Sequence, residues 1–112
     1  MRRYGAVIEL KPDKIDEYKR LHAAAWPGVL RMIKTCNIRN YSIYLRKFPD
    51  GHHYLFSTFE YVGTDFTGDM YKMAADPETQ RWWAVCKPCH EPFADRSPEA
   101  WWADMEEVFH LD

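Results

Sequence analysis

An α+β domain is the fold the sequence predicts: β-α-β-β-α-β, one antiparallel sheet with its helices on one face. Three features point to it. The chain opens on an alternating strand pattern, it carries two strand patterns joined by a Pro-Asp-Gly turn near its middle, and it closes on another alternating run. Helical periodicity fills the two remaining gaps. That order is the ferredoxin-like arrangement. At 112 residues the chain is one domain, residues 1–112, burying about two thirds of its unfolded surface. Such a sheet leaves its other face in need of cover. A second copy would supply it, so the expectation is a homodimer forming a dimeric α+β barrel.

Each element has its own signal. Tyr4, Ala6, Ile8 and Leu10 alternate on one strand face. Lys11-Pro12-Asp13 starts a helix, because proline is tolerated in a first turn and Asp13 complements the helix N-terminus. Ile15, Tyr18, Leu21, His22 and Ala25 form its inward stripe. Pro27 disfavours the α conformation at Trp26, so the helix ends or kinks there, and Val29, Leu30 and Ile33 continue a second segment to about Thr35. Asn37–Arg46 reads as a strand with Tyr41, Ile43 and Leu45 on one face, and Phe48-Pro49-Asp50-Gly51 turns it into His53–Tyr61. Asp65–Ala75 reads as helical despite Gly68, and Asp76-Pro77 caps a further helix through Trp82-Trp83 towards Lys87. Pro88, Pro92 and Pro98 punctuate an irregular stretch. Glu106–Leu111 is expected to be the last strand.

Composition excludes several function classes. Fifteen Lys and Arg against 17 Asp and Glu leave no positive excess for nucleic acid or an anionic membrane. No apolar run approaches the ~18 residues of a membrane span, and no signal-like h-region is present, so a cytoplasmic location is expected. An odd cysteine count, three, argues against a disulfide framework. The unusual feature is aromatic: six Phe, five Trp and seven Tyr, enough to line a pocket or an interface as well as a core.

Two stretches carry candidate chemistry. On a helix, Tyr18, His22 and Trp26 stand at i, i+4 and i+8, presenting an imidazole between two amphipathic rings near a forced change of direction. The arrangement suits a small polar ligand with apolar faces. It equally suits a core stripe with a bystander histidine. Gln80-Arg81-Trp82-Trp83 offers two indoles for stacking on the C–H face of a sugar ring, or two core residues that are hard to bury fully. Cys86-Lys87-Pro88-Cys89-His90 matches the haem-attachment pattern and half of a zinc or redox site. Haem attachment of that kind needs export, a redox dithiol expects a thioredoxin-like start, and zinc lacks its remaining ligands. Two thiols near a helix end, with no metal and no cofactor, is the expectation.

With those residues in view, the chain resembles the L-rhamnose mutarotase family over nearly its whole length. The resemblance is carried by Tyr18 through His22, Trp26-Pro27, Asn40-Tyr41-Ser42-Ile43-Tyr44, Gln80-Arg81-Trp82-Trp83 and Glu107-Val108-Phe109-His110-Leu111. It implies a dimer of ferredoxin-like domains, no cofactor, and interconversion of the α and β anomers of a 6-deoxy-hexose, L-rhamnose or L-fucose. It gives His22 the proton-donor role, and Tyr18, Tyr41, Trp82 and Trp83 contact with the sugar. Gly63–Met73 and Cys86–Trp102 depart from the family's usual sequence and are the regions that would shape the sugar pocket. Two other readings share the residues: a dimeric α+β barrel monooxygenase or haem-degrading protein, and a sugar-binding dimer without catalysis.

Overall fold

The computed structural model describes all 112 residues. Strand β1 (Arg2–Leu10) is followed by a 3-10 turn (Pro12–Lys14), helices α1 (Ile15–Ala23) and α2 (Pro27–Thr35), and strands β2 (Ile38–Lys47) and β3 (His53–Tyr61). Then come α3 (Phe66–Ala75), α4 (Pro77–Cys86), a 3-10 turn (Lys87–Cys89), and the short strands β4 (His90–Glu91) and β5 (Ala103–Met105). The sheet runs β2-β3-β1-β4, with β5 also pairing on β1, and every pairing is antiparallel. This is the expected α+β, ferredoxin-like topology, with each crossover helix split in two. No helix is long and apolar enough to cross a membrane.

The register of β1 against β3 places Ile8 opposite Leu55 and Leu10 opposite His53, so one sheet face carries the core. Ile8, Leu10, Leu55 and Cys89 are at most 2 % exposed and pack with Tyr18 of α1. Burying an aliphatic side chain of this kind contributes about 1.5–3 kcal/mol each, which ties α1 to the sheet. A second cluster joins Val29 of α2 to Trp82 and Cys86 of α4, and a third joins Cys36, Ile38 and Met73.

The turns follow their chemistry. Gly51 has φ +89°, the left-handed conformation that the hairpin requires. Gly68 sits in α3 because the capping carboxylate of Asp65 accepts its N–H, and a Cβ there would stand 2.2 Å from that carboxylate. Asp76 caps α4 through Thr79 N–H at 2.9 Å. Asn40, at φ 50°, lies in an irregularity of β2 between Arg39 and Ser42. Asn40 and Tyr41 together face the single residue Phe59, a bulge that changes the strand's phase. Ile38 and Tyr41 therefore both point to the helix side, which strict alternation forbids.

Two expectations are corrected. Helix α1 ends at Ala23 and Trp26 is extended (φ −67°, ψ 129°), so Trp26 does not continue the Tyr18–His22 stripe. Its ring still returns to the same region, edge-on to Trp82 at 5.2 Å. The last strand is Ala103–Met105 and not Glu106–Leu111. Met105 pairs with Gly5, leaving only residues 1–4 of β1's edge for the seven that follow. The tail touches that edge through Arg3 and Glu107 at 3.0 Å, then runs past it with Val108, Phe109 and Leu111 69–86 % exposed.

Candidate active site

Between the helix-facing side of the sheet and helices α1, α2 and α4 lies a cleft of about 1350 Å³. Ligand pockets are usually about 300–1,000 Å³, so this is a cleft with an open side. His22 from α1, Tyr41 from β2, and Trp82 and Trp83 from α4 all line it. Tyr18 is not part of that wall. Its ring is 5 % exposed in the core, stacked on His22 at 4.0 Å, while its hydroxyl bonds no protein group and is not sealed from solvent.

His22 is held in one orientation. Its Nδ1 lies 2.9 Å from the Tyr18 carbonyl, an acceptor only, so Nδ1 carries the proton and Nε2 keeps a free lone pair. Trp82 packs edge-on against its other side at 5.2 Å. Burial lowers its pKa below the ordinary 6.5, partly opposed by the bond to the Tyr18 carbonyl. The neutral form therefore dominates at neutral pH, and Nε2 is a base in reach of a ligand. Across the cleft, Tyr41 is 44 % exposed and rests on Phe59, ring centres 5.6 Å apart. Trp82 is nearly buried, and Trp83, half-buried, shows more of its surface.

The structure shows which residues of the Cys86–Trp102 stretch reach the site. His90, Lys87, Trp101 and Trp102 complete the wall. Strand β4 fixes His90 by pairing it with Leu10, and Lys11 N–H bonds the Cys89 carbonyl at 2.9 Å. Lys87 sits over the faces of both Trp83 and Trp101, 5.8 and 5.1 Å from their centres. Two signals pointed there: the departure of Cys86–Trp102 from the family's usual sequence, and the Trp101-Trp102 pair within that proline-punctuated stretch.

His90 is pushed down to a pKa of about 4, first by burial, then by His22 and Lys87. A histidine buried neutral makes stability depend on pH in one direction. Below its unfolded pKa of ~6.5 the unfolded chain takes up a proton that folded His90 refuses, so stability falls as pH drops from 6.5 towards about 4. The full loss is roughly 3 kcal/mol. Urea unfolding at pH 7 and at pH 4.5 should show it, with a shallower dependence in His90→Phe. Equal slopes for the two proteins would contradict it.

The cysteines are structural in this arrangement. Cys86 and Cys89 are 5 % and 0 % exposed, and burial pushes the Cys86 thiol up to about 12, so it is no thiolate at neutral pH. No three His, Cys, Asp or Glu side chains gather where they would hold a metal ion. Cys89→Ser places a hydroxyl among Ile8, Leu10 and Leu55. The expected result is a loss of about 1–3 kcal/mol in urea unfolding with unchanged turnover per folded molecule. Activity lost together with a bound metal would overturn this.

Fold and cleft define a small-ligand-binding domain of the α+β barrel class, with a neutral imidazole set among aromatic rings. Comparison with known proteins narrows the class. The family model described as L-rhamnose mutarotase matches residues 3–111. The chain is 34 % identical to the L-rhamnose mutarotase of Oceanobacillus iheyensis and 32 % identical to that of Lactiplantibacillus plantarum, each over 112 residues and the whole of both chains. Among solved structures it is similar to an L-rhamnose mutarotase from Formosa agariphila, with TM-score 0.74, 21 % identity and full coverage of both chains. It is also similar in fold to tetracenomycin F2 cyclase from Streptomyces glaucescens, with TM-score 0.71, 14 % identity, and coverage of 100 % of this chain and 98 % of that one. The chain belongs to the L-rhamnose mutarotase family.

Proposed function

We propose that this protein is an isomerase that interconverts the α and β anomers of L-rhamnose, with His22 as its acid–base group. The observation that carries the reading is His22 itself. Its Nδ1 is tied to the Tyr18 carbonyl, and it stands with Nε2 free in a cleft lined by Tyr41, Trp82 and Trp83. Membership in the mutarotase family favours this over the monooxygenase, haem-degrading and non-catalytic readings.

The chemistry needs little else. His22 Nε2 takes the proton of the anomeric hydroxyl as the C1–O5 bond breaks, its electron pair passing to O5 and the aldehyde C=O forming at C1. The imidazolium returns that proton to O5. The C1–C2 bond rotates, and O5 adds back to the other face of C1 by the same steps reversed. An imidazole can take up a proton and return it, so one group serves in both directions. Trp82 and Trp83 supply apolar faces for the sugar's C–H surface, and the Tyr18 and Tyr41 hydroxyls, which bond no protein group, supply polar contacts. Exchange between anomeric proton signals, followed by NMR for L-rhamnose, L-fucose and a panel of D-sugars, tests the function. No acceleration for any of them would refute it.

The protein is read as a cytoplasmic homodimer. Its three cysteines are free, which suits a reducing compartment. Tyr44, 63 % exposed, lies on the sheet face away from the helices, and the tail beyond Met105 carries exposed Val108, Phe109 and Leu111. A second copy covering that face and receiving that tail removes both from water. Deleting residues 106–112 should shift sedimentation from dimer towards monomer. An intact protein that sediments as a monomer at micromolar concentration would contradict the dimer.

A further inference from the structure

His90 is a buried polar group in this cleft that the mutarotase reading leaves unused. It is 5 % exposed and lines the same wall as His22, with the Tyr18 ring lying against both imidazoles at 5.2 and 4.0 Å. Its Nδ1 receives the indole N–H of Trp101 at 3.0 Å. An indole nitrogen can only donate, so Nδ1 is the acceptor and the proton of neutral His90 sits on Nε2. That Nε2–H is buried and finds no partner in the protein. A sealed donor without an acceptor costs free energy, and such groups in folded proteins are matched by something outside the protein's own hydrogen bonds. The two histidines thus hold opposite tautomers. His22 presents a lone pair and His90 presents an N–H.

We propose that His90 is a second catalytic residue, a hydrogen-bond donor whose Nε2–H meets the ring oxygen of the bound sugar. The proposal rests on the mutarotase reading and gives it a division of labour. As C1–O5 breaks, negative charge builds on O5 before the proton from His22 arrives, and a fixed N–H aimed at that oxygen stabilises it. His90 keeps its proton throughout, because neutral imidazole is a poor acid and Trp101 has no proton to spare. It acts as a neutral electrophile, a role imidazole fills in other enzymes when its pKa is held low. Trp101 is the positioning residue, since its N–H makes Nδ1 the acceptor and leaves the proton of His90 on Nε2.

The test combines spectroscopy on the wild type with variants. In ¹⁵N-labelled protein, His90 should show a protonated Nε2 and an unprotonated Nδ1, and L-rhamnose should move the Nε2–H resonance. His90→Phe keeps the ring volume and removes the donor. It should lower kcat roughly 10- to 100-fold, the worth of one hydrogen bond to a charged oxygen, with a smaller change in KM. His90→Gln, whose amide N–H can donate, should recover part of that loss. Trp101→Phe should give a mixture of His90 tautomers and an intermediate rate. A folded His90→Phe protein with wild-type kcat, or an Nε2–H resonance that sugar leaves unmoved because only a trapped water sits there, overturns the proposal. If the wild type accelerates no anomer exchange, the mutarotase reading falls by itself. The sugar titration then decides His90 separately, a shifted Nε2–H keeping the contact and an unmoved one removing it.

Discussion

Replacing His22 with alanine is expected to lower catalysed anomer exchange by roughly 10²–10⁴-fold, the range that one general acid–base group supplies, leaving the spontaneous background. The loss should fall on kcat, because the stacking faces of Trp82 and Trp83 and the tyrosine hydroxyls remain. The protein should stay folded. His22 is half-buried near the end of α1, and the main partner it gives up is the Tyr18 carbonyl, which keeps its helical backbone N–H from residue 22. Circular dichroism checks the fold, and exchange between the anomeric signals of L-rhamnose checks the rate. The pH profile adds a second reading. Burial holds His22 below 6.5, so kcat/KM should stay level down to that pH and fall only below it, as the imidazole takes up a proton. A folded His22→Ala protein exchanging at the wild-type rate would remove His22 from the mechanism.

Trp82→Ala carries the largest expected effect on stability. The ring is 7 % exposed, packs with Val29 and Cys86, and meets the Trp26 and His22 rings edge-on, each at 5.2 Å. It ties α1, α2 and α4 together. Removing a buried tryptophan costs about 3–5 kcal/mol in lost transfer energy and cavity formation. In a domain of this size that lowers Tm by on the order of 10–20 °C. Trp83, half-buried and under Lys87, should behave differently. Trp83→Ala should raise KM for the sugar with a much smaller change in Tm. Thermal unfolding and sugar titration of both variants separate the roles. A Trp82→Ala protein as stable as wild type would mean that the ring serves the ligand alone.

Much of this was legible in the order of residues because it rests on local physics. Alternation wrote β1 and β3, Pro27 wrote the break between α1 and α2, and Asp76-Pro77 wrote the start of α4, each through backbone geometry that neighbours in sequence control. The Tyr18–His22 pair was visible for the same reason, since residues four apart on a helix must share a face. The α1 stripe was overextended to Trp26 because periodicity does not show how far a helix runs before a proline. The closing strand was misplaced because alternation in Glu106–Leu111 does not show whether an edge is there to receive it. Pairing depends on where β1 begins, and Met105 opposite Gly5 uses up most of that edge.

By itself the sequence determined the element order, the inward face of β1, the i, i+4 meeting of Tyr18 and His22, and the aromatic character of the site. The tertiary structure decided which of the five tryptophans surround the cleft, that Asn40's bulge turns Tyr41 to the helix side, and that His90 leaves the Cys-x-x-Cys-His pattern to stand near His22. Those outcomes depend on strand register and on packing between residues far apart in the chain, such as Tyr18 and His90, whose rings meet at 5.2 Å. Local sequence patterns act over one turn of helix or two residues of strand, so they cannot set the tautomer of His90. Only the arrival of the Trp101 N–H at its Nδ1 does that.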